Sequence, residues 1–63
     1  MYSTFIRSAR NFQEFASAEK IVQETDLIHE EARAACQNFN SNLTDAEKEA
    51  GTKMEFTASE NLD

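Results

Sequence analysis

The sequence has few of the residues that usually staple or interrupt a small fold. Its 63 residues include no proline, no tryptophan, one glycine and one cysteine, Cys36. A single thiol excludes an internal disulfide, and a chain of this length buries only about 60% of the surface exposed on unfolding. Folds with such thin cores usually need a metal, a disulfide or a partner. We therefore expect one domain at most, stabilised by a protein partner or as a homo-oligomer.

Long apolar runs are also missing. No segment approaches the roughly 20 apolar residues of a membrane span, and the first residues, MYSTFIRSAR, lack the apolar region of a secretory signal. We therefore expect no membrane association. The lone thiol fits a reducing compartment. These features favour a cytoplasmic protein, or a virion-associated one if the source is viral.

Positive charge is scarce. Twelve acidic and six basic residues give a net charge of −6. Arg7 and Arg10 lie in the first ten residues, which hold no acid, so the remaining residues carry 6 − 2 = 4 basic and 12 acidic groups, a net of −8. Because nucleic-acid binding depends on clustered Lys and Arg, we do not expect direct nucleic-acid binding. The balance fits a basic partner, mimicry of nucleic acid, or ordinary solubility.

Two segments show the apolar spacing of an amphipathic helix. The first is predicted at about 12–24, where Asn11 and Glu14 have capping-box spacing; Ser17 offers a second start if this helix breaks near Ala16. Its apolar face comprises Phe12, Phe15, Ala18, Ile21 and Val22. The second helix is predicted to open at Asp26 or Ile28. Its apolar face comprises Ile28, Ala32, Ala35, Cys36 and Phe39.

The remaining elements are shorter. The asparagine-rich run at 38–42 predicts a turn, and Thr44 with Glu47 forms another capping box. This box predicts a short helix that ends at Gly51, a typical residue after a helix C-terminus. Residues 2–7 and 53–57 show strand-like patterns.

The predicted fold class is mainly α, a small bundle of two longer helices and one short helix. The two terminal strands can pair, 2–7 with 53–57, as a ribbon that closes this bundle. Residues 1–58 are the predicted domain, and the polar residues 59–63 are the predicted frayed tail.

Residues that usually carry catalysis are few and scattered. His29 is the sole histidine, and Cys36 lies about 10 Å further along the same predicted helix, too far for both to bind one metal. The run HEEAR places Arg33 where a zinc-protease motif has its second histidine. We therefore expect no catalytic residues, no metal and no cofactor, and the protein is not predicted to be an enzyme.

The aromatic content is high, with one tyrosine and five phenylalanines. Most should form the core, but any that are exposed near the chain ends would mark a docking surface. The acidic start of the second helix offers charge to a basic partner. The predicted partner-binding residues are Tyr2, Phe5, Leu27, Glu30, Glu31 and Phe56.

The central stretch 26–46, DLIHEEARAACQNFNSNLTDA, resembles the middle of a ubiquitin-associated (UBA-like) three-helix module. The residues at that family's spacing are Glu30, Glu31, Ala32, Cys36, the turn at 40–43 and Ala46. This resemblance implies three packed helices, with Leu27 as the one contact residue that carries over. The overlapping segment 17–40 resembles a helix-turn-helix with its turn at 25–27, which implies a recognition helix.

The sequence favours a small acidic, non-enzymatic protein-binding module, such as an adaptor, assembly factor or inhibitor. One alternative is a virus-encoded acidic decoy or nucleic-acid mimic that blocks a basic groove. Another is a dimeric helix-turn-helix DNA-binding protein. Salt distinguishes the first two, because contacts between exposed charges weaken with ionic strength and apolar contacts do not.

Overall fold

The chain forms a three-stranded antiparallel sheet with one long helix on one face. The computed structural model describes residues 1–61, apart from the side chain of Phe12. In chain order the elements are β1 (Tyr2–Ser8), α1 (Phe12–Ser17), β2 (Ile21–Leu27), α2 (His29–Ser41), α3 (Asp45–Glu49), β3 (Thr52–Ala58) and a 3-10 turn (Ser59–Asn61). The strand order is β2-β1-β3, so β1 is central.

The two terminal strands form where the alternating patterns predict them. β1 pairs with β3 without a bulge, from Tyr2 opposite Ala58 to Ser8 opposite Thr52. Since side chains alternate along a strand, the even-numbered residues of β1 share one face with Phe56. The ring of His29, at the start of α2, contacts Phe56, so this is the face that α2 covers. The odd-numbered residues of β1 lie on the opposite face.

The prediction of a mainly α bundle is wrong. The helix predicted at 12–24 spans only Phe12–Ser17, and Ile21–Leu27 forms a strand paired with β1. Ile21 and Val22 are β-branched, so they favour extended backbone. The edge of β1 that β3 leaves free supplies hydrogen-bond partners for the backbone of this strand. The terminal strands therefore belong to a mixed α/β fold and do not close a helical bundle as a two-stranded ribbon.

Neither family resemblance holds in the structure. A UBA-like module needs three packed helices, whereas α2 is the one helix longer than six residues within 1–61. The helix-turn-helix needs a first helix and a turn at 25–27, but α1 ends at Ser17 and β2 takes up residues 21–27. The spacing at 26–46 reflects one amphipathic helix followed by a capped turn, which unrelated folds also use.

The second and third helices form as predicted. Residues Ala32 and Cys36 of α2 are buried against the sheet, and the Ile28 amide N–H donates to the Glu31 carboxylate at 3.1 Å. At α3 the Thr44 hydroxyl accepts from the Glu47 amide at 3.1 Å, while the Glu47 carboxylate accepts from the Thr44 amide at 2.8 Å. This confirms the capping box.

The buried centre of the fold is small and partly polar. Its buried apolar side chains are Phe5, Ala32, Cys36 and Met54. Ser3 and Thr4 of β1 are also fully buried. The Ser3 hydroxyl bonds to that of Ser59 at 2.6 Å, but the Thr4 hydroxyl has no hydrogen-bond partner among the described residues.

The segment after β3 is tied to the start of the chain over its first residues. The Ser59 amide donates to the Met1 carbonyl at 2.9 Å, and residues 59–61 form the 3-10 turn. The remainder of the tail predicted at 59–63, residues 62–63, lies outside the described residues. The division at residue 58 stays a prediction.

Gly51 joins α3 to β3 at a point where no side chain fits. Its φ of +71° lies in the left-handed region that favours glycine. A Cβ there would also collide with the carbonyl oxygen of Ala9. The two backbones meet directly, since the Ala9 amide donates to the Gly51 carbonyl at 3.4 Å.

We expect Gly51→Ala to destabilise the fold by more than about 3 kcal/mol, because left-handed strain of about 1–2 kcal/mol adds to the collision with Ala9. Urea denaturation checks this. Gly51→Asn separates the two causes, since asparagine tolerates the left-handed region but still carries a Cβ. Near-normal stability of Gly51→Asn would show that the collision with Ala9 is unimportant.

We expect Thr4→Val to stabilise the protein by about 1 kcal/mol, because it removes a buried hydroxyl without a partner while keeping the branched shape. The melting temperature should rise by about 4–8 °C. The matched control is Ser3→Ala, which removes a bonded hydroxyl and should lower the melting temperature. Equal losses for both variants would contradict this interpretation of Thr4.

Candidate protein-binding edge

The two outer edges of the sheet differ in how their backbone is satisfied. At β3 the side chain of Asn40, from α2, donates to the Met54 carbonyl and accepts from the Met54 amide, both at 3.0 Å. One amide side chain thus takes the place that a neighbouring strand would occupy. Since unpaired strand edges readily recruit other strands, Asn40 blocks strand addition at the middle of β3.

The opposite edge, β2, has no such cover from the residues that the structure describes. Six of its seven residues are exposed, and the seventh, Leu27, is half-buried. The side-chain hydrogen bond to the β2 backbone comes from within β2 itself: the Gln23 side-chain amide donates to the Ile21 carbonyl at 3.1 Å. An open edge strand is the geometry that proteins use to bind an extended peptide as an added strand.

The large exposed apolar side chains of the described residues collect along this same edge. They are Met1 (65% exposed), Ile21 (54%), Val22 (44%) and Ile28 (55%). Ile28 directly follows β2, and Met1 precedes Tyr2, which pairs with Leu27. We call Met1 together with residues 21–28 the docking edge. Clustering of exposed apolar side chains on one edge is typical of an interaction surface.

The docking edge is irregular. The register with β1 shifts twice, between Tyr2 and Thr4 and between Thr4 and Phe5, and each shift places an extra residue on β2. Asp26, with a φ of +59°, lies in the first of these bulges. Bulges increase strand twist and limit edge-to-edge aggregation. They also divide the apolar side chains into one group at Ile21 and Val22 and another at Ile28 and Met1.

Acidic side chains surround the docking edge. Residues 19–31 include five carboxylates against one basic residue, Lys20. The five are Glu19, Glu24, Asp26, Glu30 and Glu31. All are exposed, so the local field favours a ligand that carries positive charge.

Three of the predicted partner-binding residues meet at one end of the sheet. Tyr2 pairs with Leu27 across β1 and β2. The Tyr2 ring packs edge-on against the rings of Phe56 and His29, with ring centroids 6.0 and 5.2 Å apart respectively. The rings of His29 and Phe56 are also 5.2 Å apart. These residues therefore form a partly covered aromatic cluster that supports the end of the docking edge.

The other three predicted residues lie apart from this cluster. Phe5 is only 4% exposed and lies on the opposite face, beneath the cations of Arg7 and Lys20 at 5.8 and 5.3 Å. Glu30 and Glu31 are exposed in the first turn of α2, where Glu31 also caps the helix. Phe5 therefore belongs to the buried core and cannot contact a partner directly.

Sequence reasoning missed the end of this edge that carries Ile21 and Val22. The helix predicted at 12–24 places Ile21 and Val22 on its apolar face, because adjacent apolar residues also fit helical spacing. Their β-branched pair, followed by Thr25, is the signal that would have favoured a strand. The role of Asn40 carries no sequence signal, since it depends on where β3 lies.

The comparisons add no relative from which a function could be carried over. The chain matches no protein-family model, no curated protein and no solved structure. Within residues 1–61, no three His, Cys, Asp or Glu side chains are grouped closely enough to hold a metal ion. Over the same residues, no helix is long and apolar enough to cross a membrane.

Cys36 is the sole thiol and is buried in α2. Burial raises the pKa of Cys36 above its ordinary value of 9.0, and the negative charge of Glu55 raises it further. The thiol is therefore protonated at neutral pH, and the protonated form is a poor nucleophile. This environment suits a small core side chain.

We expect Cys36 to react with a thiol reagent much more slowly in the folded protein than in urea. Its pKa is higher in the folded than in the unfolded state, so its contribution to stability is complete below the unfolded pKa. That contribution is lost as the pH rises above about 9. Urea denaturation at rising pH measures the loss, and Cys36→Ala should remove this part of the slope. Rapid labelling of the folded protein would contradict the buried environment.

Proposed function

We propose that the protein is a non-enzymatic protein-binding module that takes up an extended segment of a basic partner protein along the docking edge. The observation that carries this proposal is the contrast between the two sheet edges. β3 is blocked by Asn40 at Met54, whereas β2 is open and bears exposed Ile21 and Val22.

Strand addition would supply both affinity and selectivity. Main-chain hydrogen bonds contribute about 0.5–1.5 kcal/mol each after exchange with water, and apolar burial adds about 25 cal/mol per Å². Alternate side chains of the partner would lie beside Ile21 and Val22. Lys or Arg in the partner would lie near Glu24 and Asp26, which favours a segment of mixed apolar and basic residues.

A second copy of the chain is a poorer occupant of this edge. A β2–β2 pair would bring together two copies of the same acidic edge, each with five carboxylates and one basic residue over residues 19–31. Two edges of the same charge repel each other. We therefore favour a different, basic chain over a homodimer.

The docking edge also favours this proposal over an acidic decoy. A decoy depends on charge alone, whereas Ile21, Val22 and Ile28 place exposed apolar side chains among the acids. Binding that persists at high salt is expected for the docking edge, and loss of binding is expected for a decoy. The variant Glu30→Gln/Glu31→Gln should therefore weaken binding only modestly.

The proposal is tested by selecting short peptides from a random displayed library and synthesising those that bind. We expect them to mix apolar and basic residues and to protect amides of residues 21–27 from hydrogen exchange. Ile21→Lys and Val22→Lys should each weaken binding by about tenfold or more, because they replace apolar contact with repulsion of a basic ligand.

The matched control is Gln37→Lys, which makes the same kind of change at an exposed position of α2. Its affinity should be close to that of the unchanged protein. Equal weakening by Gln37→Lys would show that net charge, and not the docking edge, determines binding. Protection confined to residues outside 21–28 would overturn the proposal, and a doubled mass in sedimentation would indicate a second copy as the occupant.

A further inference from the structure

A second surface feature lies away from the docking edge. It is a groove of about 470 Å³ at the end of the sheet where β1 leaves and β3 begins. Its walls come from the loop after β1, from α1, from the region of α3 and from the first residues of β3. The volume lies within the range of about 300–1,000 Å³ that is typical of small-molecule sites.

The groove concentrates positive charge in an acidic protein. Its nine lining residues include Arg10, Lys48 and Lys53 and no carboxylate. The whole chain has twice as many acidic as basic residues, 12 against 6. Half of all the basic residues therefore line one groove that contains none of the acids. A random selection of charged residues from this sequence would contain more acids than bases.

No carboxylate of the described residues forms an ion pair with these three cations. The one ion pair among the described residues joins Arg7 to Glu55, at 2.8 Å. The Glu14 carboxylate accepts from the backbone amide of Arg10 at 3.2 Å, and that of Glu47 caps α3. Both of these carboxylates are bonded to backbone amides, and neither forms an ion pair with the side chain of Arg10, Lys48 or Lys53.

The sheet register adds to the positive charge. Arg7 and Lys53 are directly opposite each other across β1 and β3. Because Arg7 is paired with Glu55 at 2.8 Å, Lys53 is the cation of this pair that has no ion-pair partner among the described residues.

The groove also has a fixed apolar side. Phe15 and Leu43 line it, and the Arg7 guanidinium covers one face of the Phe15 ring at 3.9 Å. The walls are joined where the Gly51 backbone meets Ala9, and by the Ser8–Thr52 hydroxyl hydrogen bond of 2.7 Å. A site held by such contacts loses little entropy when a ligand binds.

We propose that this groove binds a small organic phosphate. Its phosphate group lies among Arg10, Lys48 and Lys53, and its apolar or ring portion lies against Phe15 and Leu43. A phosphate monoester carries a charge of about −1.5 to −2 and three strong acceptor oxygens at neutral pH, which matches several cationic donors. The groove shares no residue with the docking edge, so this binding does not depend on the proposed strand addition.

The test uses adenosine 5′-monophosphate as the probe in an amide NMR titration at low salt. Saturable shifts are expected at residues 9–11, 15, 43 and 48–53. Inorganic phosphate and adenosine, each supplying one part of the ligand, should bind more weakly than the nucleotide. Absence of saturable shifts in the groove, or equal affinity for inorganic phosphate and the nucleotide, would overturn the proposal.

Variants decide whether binding depends on the groove or on overall charge. Lys48→Gln and Lys53→Gln should each weaken nucleotide binding by about tenfold, as expected for loss of a charge-assisted contact. The matched control is Arg33→Gln, which removes the same charge from an exposed position on α2 and should leave affinity unchanged. Equal weakening by all three variants would overturn the proposal.

A final arm uses single-stranded oligonucleotides of increasing length. Affinity that does not rise with length supports a small-molecule site. Affinity that rises steadily, with shifts that spread to Lys20 on the same face, would replace the small ligand by a nucleic-acid strand and overturn the proposal as stated.

Discussion

The pairing of β1 with two neighbours at once is the constraint on which the rest of the structure depends. A central strand has side chains buried on both faces, and residues 3–5 are accordingly the most deeply buried run of the chain. The small side chains of Ala32 and Cys36 let α2 lie close on one face. On the other face residues 1–61 supply no second long helix, and the cations of Arg7 and Lys20 cover Phe5. A sequence with few large apolar residues thus completes its core with amphipathic ones.

Those parts of the fold that depend on local signals were predictable from the sequence. The capping box at Thr44, the left-handed Gly51 and the alternating terminal strands each follow from a few neighbouring residues. Residues 21–27 were not predictable in this way, because their strand exists through pairing with β1, and helical spacing fits the same apolar residues. The candidate binding site also has a part that was predictable from the sequence and a part that was not. Tyr2 and Phe56 were identified as aromatic residues near the chain ends, and Leu27 through the UBA-like resemblance. The block by Asn40, in contrast, requires knowledge of where α2 and β3 meet.

Charge is segregated more strongly than the net value suggests. Arg7, Lys20 and Lys53 lie on the sheet face opposite α2. Arg10 and Lys48 line the groove with Lys53, and Arg33 is the one basic residue outside these two groups. The exposed acids of residues 19–31 surround the docking edge. Two surfaces of opposite sign on so small a body attract different ligands over distances of about a Debye length. The net charge of −6 describes neither surface.

The order of the strands in the chain also determines when this protein can fold. The central strand is synthesised first, yet one of its two neighbours is β3, and the bonded pair Ser3 and Ser59 is separated by 56 positions. Contacts so distant along the chain slow folding, because a large loop must close before they contribute. During synthesis β2 can pair with β1 early, but the other edge of β1 stays unpaired until β3 has emerged from the ribosome. An early binding partner or chaperone would encounter β1 with that edge open.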